Sequence, residues 1–156
     1  MPNYFKTLNI DLILIAGLLL FLLSGNAYSD MSKSDIPQMI KAGLDAYKTG
    51  GPEAAIADWI KDSPYEGSKD AMSQANIFKQ IESFYGSYID YNPIAIIYLT
   101  PSTRLVYLSM DFDNGPVFAE FMIYKKNKGW ILSGKFNFHT EPRKILPESL
   151  LDIRKD

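Results

Sequence analysis

Few side chains in this chain could do chemistry, and they can be taken one at a time. His139 is the sole histidine, so a histidine-rich metal site is excluded and any imidazole acid-base work has one address. Asp111 and Asp113 stand two residues apart beside Asn114-Gly115. That spacing puts two carboxylates on one face of a strand, where they could seat a cation or share a proton. The same residues next to a turn also serve simply as turn caps. Glu120 is expected beside Lys135 across a strand pair, as a carboxylate tuned by a cation or as a surface ion pair of about 0–1 kcal/mol. Asp111, Glu120 and His139 are therefore the candidate catalytic set, with a structural role the simpler account of each. Lys125, Lys126 and Lys128 form a basic hairpin tip that could touch phosphate or lipid headgroups. The chain has no cysteine, which excludes disulfides, thiolate metal sites and thiol nucleophiles. Glycine-rich phosphate loops, zinc-binding His-Glu-x-x-His segments and calcium loops are also absent. No metal and no cofactor are expected.

The elements that must position these groups begin with helices. Ile36, Met39, Ile40, Gly43, Leu44 and Tyr47 recur at helical steps behind Asp35, a candidate N-cap, with Pro37 in the first turn and Gly50-Gly51 as the stop. Pro52 opens a shorter helix that sets Ala55 with Trp59, and Ile56 with Ile60, on one side. A third helix is expected from Ser68 to Tyr88, with Gly86 near its end and an apolar stripe that includes Ala75, Phe78, Ile81 and Tyr85.

From Ile94 the texture changes to β-branched and aromatic runs broken by Pro101-Ser102, Asn114-Gly115 and Asn127-Lys128-Gly129, the pattern of an antiparallel meander. An Asn-Gly hairpin of type I′ would place Ser109 opposite Glu120 and Tyr107 opposite Met122. Period-two alternation then sorts the strands into faces. One face collects Val106, Leu108, Met110, Phe112, Val117, Ala119, Phe121, Ile123, Trp130, Leu132, Gly134, Phe136 and Phe138, with Arg104 at its edge. It must be covered by the helices. The other face is polar at one end, with Ser109, Asp111, Glu120, Lys135, Asn137 and His139. Toward its other end it carries Ile96, Tyr98, Leu105, Tyr107, Met122, Tyr124 and Ile131, more apolar than a free surface usually is. The chain's own tail, a second subunit or a partner should cover it. Pro147, followed by Leu150, Leu151 and Ile153, suggests a short C-terminal helix.

Helices followed by a curved meander wrapped on one long helix, here 68–88 and 94–139, resemble the cystatin-like or NTF2-like α+β cone of small exported bacterial proteins. The resemblance implies a pocket between helix and concave sheet, and in enzymatic members Asp, His or Tyr inside it. This chain fills the corresponding face with Phe, Trp and Leu. The expected fold class is thus α+β: N-terminal helices on a curved antiparallel meander, with a short C-terminal helix.

Residues 1–29 read as a secretory leader: Lys6, an unbroken apolar run from Leu12 to Leu23, then Ser24-Gly25-Asn26-Ala27-Tyr28-Ser29. About twelve apolar residues make a helix of roughly 18 Å, short of the roughly 30 Å hydrocarbon core. Residues 30–156 remain as a single domain, periplasmic or secreted. The net charge of −2 gives no strong overall field toward nucleic acid or anionic lipid. The leading expectation is an exported, non-enzymatic interaction or ligand-binding module. It would act through Tyr98, Tyr107, Met122, Tyr124 and Ile131, toward a protein partner or a second copy, or through a small apolar cleft between helix and sheet. No nucleic acid and no stable membrane span are expected once the leader is removed. The alternative is an NTF2-like hydrolase or isomerase using Asp111, Glu120 or His139, which needs a one-residue change of strand register.

Overall fold

Two glycines decide where the helices break. The computed structural model describes residues 31–134 and 136–152; residues 1–29, expected to be a leader, and Lys135 and Ile153 lie outside them. A 3-10 turn over Lys33–Asp35 is closed reciprocally: Ser32 Oγ accepts from the Ser34 N–H, and the Asp35 carboxylate accepts from the Ser32 N–H at 2.9 Å. Asp35 is therefore spent inside this turn, and helix α1 (Gln38–Ile60) starts after Pro37 instead. The two helices expected here form one span interrupted at Gly51, whose φ of 75° and ψ of −168° are non-helical and suit only glycine well. Across that break Trp59 reaches back to donate its indole N–H to the Ile40 carbonyl at 3.0 Å. The approach depends on Gly43, because a Cβ there would lie 2.1 Å from Trp59 Nε1.

Helix α2 (Lys69–Tyr85) is capped by Ser68, whose Oγ accepts from the Ala71 N–H at 3.3 Å, and is stopped by Gly86 at φ 79°. The helix ends three residues before the expected Tyr88, and strand β1 (Tyr88–Thr100) begins six residues ahead of Ile94. The cause is tertiary. The Asp113 carboxylate accepts from the Ser87 N–H at 2.7 Å, and the Asn114 N–H donates to the Tyr85 carbonyl at 2.8 Å. The turn at Asp113–Asn114 thus clamps the helix end.

Strands β2 (Thr103–Phe112), β3 (Gly115–Lys126) and β4 (Gly129–Leu132) continue the sheet in the order β1-β2-β3-β4, and β5 (Asn137–His139) also pairs with β3. All pairings are antiparallel. Phe112 stands opposite Gly115 and Tyr107 opposite Glu120, two residues away from the expected register. The turn residues are Asp113 and Asn114, neither at positive φ, so the hairpin is not type I′. Its docking on the end of α2 outweighs the local Asn-Gly preference. After Leu132 the chain slips again by two, which sets Glu120 against Asn137 instead of Lys135. Both slips are even, so every side chain in β2, β3 and β5 keeps its expected face.

Strand β1 behaves differently. Its irregularities between Pro93 and Ala95, and between Tyr98 and Thr100, are odd steps that reverse the face of the residues beyond them. Ile96 and Tyr98, expected on the outer face, pair instead with Val106 and Arg104 and stand on the concave side. Gly134 moves the opposite way: a Cβ there would meet the outer-face side chain of Met122 at 2.5 Å.

The concave face carries the core. Val106, Leu108, Met110, Val117, Phe121, Ile123 and Leu132 are buried against Ile40, Leu44, Ile56 and Trp59 of α1 and Phe78 of α2. Trp59 meets Phe121 edge-on at 5.0 Å between ring centroids, and Phe78 stacks on Phe138 at 4.1 Å. A short helix α3 (Glu148–Leu151) follows a 3-10 turn at Pro142–Lys144. The architecture is α+β, helices packed on a curved antiparallel sheet.

Candidate functional site

Asp111, Glu120 and His139 all stand on the outer face, opposite Pro116, Tyr107 and Phe118 respectively. Each is held by near neighbours. Asp111 accepts from Asn92 Nδ2 at 2.6 Å and Ser109 Oγ at 3.1 Å. Glu120 accepts from Asn137 Nδ2 at 3.2 Å. The imidazole Nδ1 of His139 accepts from the Glu141 N–H at 2.9 Å, which places the neutral ring's proton on Nε2. Along the strands Asp111 and Glu120 are separated by four positions of β2, about 13 Å at the usual strand rise. None of the three lines the groove at the 124–131 hairpin or the cleft beside α2. Asp113 is an exposed turn residue committed to the Ser87 N–H. Among the described residues no group of three or more His, Asp or Glu is arranged to hold a metal ion.

The five residues expected to meet a partner do not form one patch. Tyr107 is buried (3% exposed) and Ile131 nearly so (8%). Burial and the neighbouring Glu120 carboxylate push the Tyr107 hydroxyl above its ordinary range. Leu146, in the segment after β5, is the third buried apolar residue outside the main core cluster. Met122 is half-buried. Tyr124 stays exposed at 43%, and Tyr98, on the opposite face, is exposed at 64%.

What Tyr98 and Tyr124 share is an end of the sheet. The β1–β2 turn and the β3–β4 turn lie side by side there, joined by the Lys125 N–H donating to the Ser102 carbonyl at 2.8 Å. Residues 98–104 and 124–131 bring Arg104, Lys125, Lys126 and Lys128 to this end, with no acidic residue among them. Residues 105–124, which run to the opposite end, contain no Lys or Arg but carry Asp111, Asp113 and Glu120. A chain of net charge −2 is therefore polarised along its strands.

At the basic end the guanidinium of Arg104 lies between two rings, 4.5 Å from the Tyr98 centroid and 4.2 Å from that of Trp130. Its Nε is buried with no hydrogen-bond partner among the described residues. Lys126 donates to the Asp62 carbonyl at 3.4 Å. The exposed Glu66 carboxylate accepts from the Asp62 N–H at 3.1 Å. A shallow groove of about 430 Å³ runs along residues 124–131 to Asp62. Lys125, Lys126 and Lys128 line it with Tyr124 and Trp130 against the single acid Asp62, a mainly cationic and aromatic lining suited to anionic groups attached to an apolar or planar body.

A second cavity, of about 300 Å³, lies between the start of α2 and the β4–β5 margin and is lined by Tyr65, Ser68, Gln74, Leu132, Phe136 and Asn137 among others. It occupies the place expected for a helix-sheet cleft. Its Ser68 hydroxyl is already committed to the helix cap.

The Arg104 sandwich escapes a reading of the sequence because it joins β1, β2 and β4 through the odd bulge in β1. Leu99, exposed at 51% in that bulge, escapes for the same reason. No helix among the described residues is long and apolar enough to cross a membrane. No protein-family profile, curated protein or solved structure matches the chain.

Proposed function

We propose that this protein is an exported, non-catalytic binding module of the α+β cone type, and that its binding surface is the basic and aromatic end built by residues 98–104 and 124–131. The observation that carries this reading is the segregation of charge: four cations share one end with exposed Tyr98, Leu99 and Tyr124, while the only charged residues in the rest of the two central strands are acidic. The overall charge conceals that field. It supports recognition of an anionic ligand or surface, with the rings contributing contact area. The leader-like residues 1–29 support export.

Titration calorimetry with inositol hexakisphosphate as a soluble polyanionic probe tests the reading. Binding should weaken at least tenfold in the Lys125→Gln/Lys128→Gln protein and stay unchanged in Asp111→Asn/Glu120→Gln/His139→Asn. Equal affinity in the lysine variant, or sensitivity confined to the outer-face variant, would overturn it.

A further inference from the structure

Resting on that reading, we infer that the basic end docks on the surface of an anionic phospholipid bilayer. Three features of this end converge on such a partner. The first is where its apolar groups sit. Leu99 and Tyr98, exposed at 51% and 64%, approach the end of one hairpin, and Tyr124, at 43%, that of its neighbour. Amphipathic rings and aliphatic side chains at projecting tips are suited to the boundary between headgroups and acyl chains.

The second is charge. Lys125 and Lys128 have no carboxylate partner among the described residues, where the ion pairs are Lys33 and Lys48 with Asp90, Lys79 with Glu53 and Lys144 with Glu141. Their attraction is left for an external anion. Arg104, held between Tyr98 and Trp130, adds a cation that cannot fold away.

The third is shape. A small soluble ligand would be enclosed by convergent polar groups, yet these lysines are exposed along a hairpin end, and Leu99 offers a soluble anion nothing. A stable protein interface uses roughly 20–30 residues a side, and the two hairpin ends supply only about fifteen. A fluid, negatively charged surface needs neither enclosure nor a broad flat face. It rewards each cation separately and accepts the apolar tips between headgroups.

The test is co-sedimentation of the full chain with vesicles of phosphatidylglycerol in phosphatidylcholine, against pure phosphatidylcholine, over a salt series. Binding should require the anionic lipid and fall as salt rises. Lys125→Gln/Lys128→Gln should lower partitioning about 25-fold, at roughly fivefold per lysine. Leu99→Ser should lower it several-fold without altering the salt dependence. All three positions are exposed, and circular dichroism verifies that the variants fold. Attachment through another part of the chain, such as the apolar run 12–23, would be insensitive to both variants, and that result overturns the inference. Absence of binding to anionic vesicles at low salt overturns it as well. If inositol hexakisphosphate still binds when the vesicles do not, the bilayer is excluded while the anion-binding surface stands. If neither binds, both readings fall.

Discussion

At the scale of single residues, burial and pairing set the behaviour of the ionisable groups. Asp90 receives Lys33 and Lys48. Hydrogen bonding from Lys33 is the main cause that holds its carboxyl at about 2, below the ordinary 3.8. Because the folded-state value is the lower one, this contact stabilises the fold above about pH 4, and its contribution is lost as pH falls toward 2. The Asp90 and Lys33 side chains are more than a third exposed, so the contribution is at most about 1 kcal/mol. Urea melts of Asp90→Asn at pH 7 and at pH 2 should show a deficit at pH 7 that narrows markedly by pH 2. Tyr88 presents the opposite case, with a buried hydroxyl that finds no partner among the described residues and is pushed by burial above the ordinary tyrosine range. Removing an unsatisfied buried hydroxyl while keeping the ring should leave stability unchanged or raise it by about 1 kcal/mol. A Tyr88→Phe protein that loses more than that in urea melts would show that the hydroxyl has a partner.

At the scale of elements, the close approach of the two halves of α1 depends on one missing side chain. Gly43→Ala would drive a methyl into the Trp59 indole and should cost about 1–3 kcal/mol in chemical denaturation, the usual range for overpacking a core. Phe121→Ala should cost about 3–5 kcal/mol, since Phe121 is buried between Trp59 and Phe136. A loss below half a kcal/mol would contradict the facing of β3. The residues behind both predictions were legible in the sequence. Helical spacing exposed Trp59 and Gly43, and alternation gave the inward faces of β2 and β3. Register was less legible, because the β2–β3 turn is fixed by Asp113 and Asn114 docking on Ser87 and Tyr85, contacts between segments that local turn preference does not contain. Parity survived wherever the slip was even and failed in β1, where bulges at Pro93–Ala95 and Tyr98–Thr100 are odd. The assignment of Tyr98 to the same patch as Tyr107 failed with it, and the aromatic-cationic end went unseen as a unit.

At the scale of the whole molecule, the sheet acts as a ruler that separates charge. The described chain begins beside Asp90, toward the acidic end, where Lys33 pairs with that residue, and the hairpins carrying Arg104, Lys125, Lys126 and Lys128 close the other. An average over the sequence sees a nearly neutral protein, whereas an approaching anionic surface meets one cationic end first, at distances within the Debye length of about 10 Å at 0.1 M salt. The polarisation belongs to the fold, since it depends on which strand ends the meander brings together. Amide hydrogen exchange of the full chain with and without anionic vesicles tests this most directly. The account predicts added protection confined to residues 98–104 and 124–131, fading as salt is raised, with Ser109 to Glu120 unchanged. Protection centred on Asp111, Glu120 and His139, with the two basic hairpins unaffected, would contradict it.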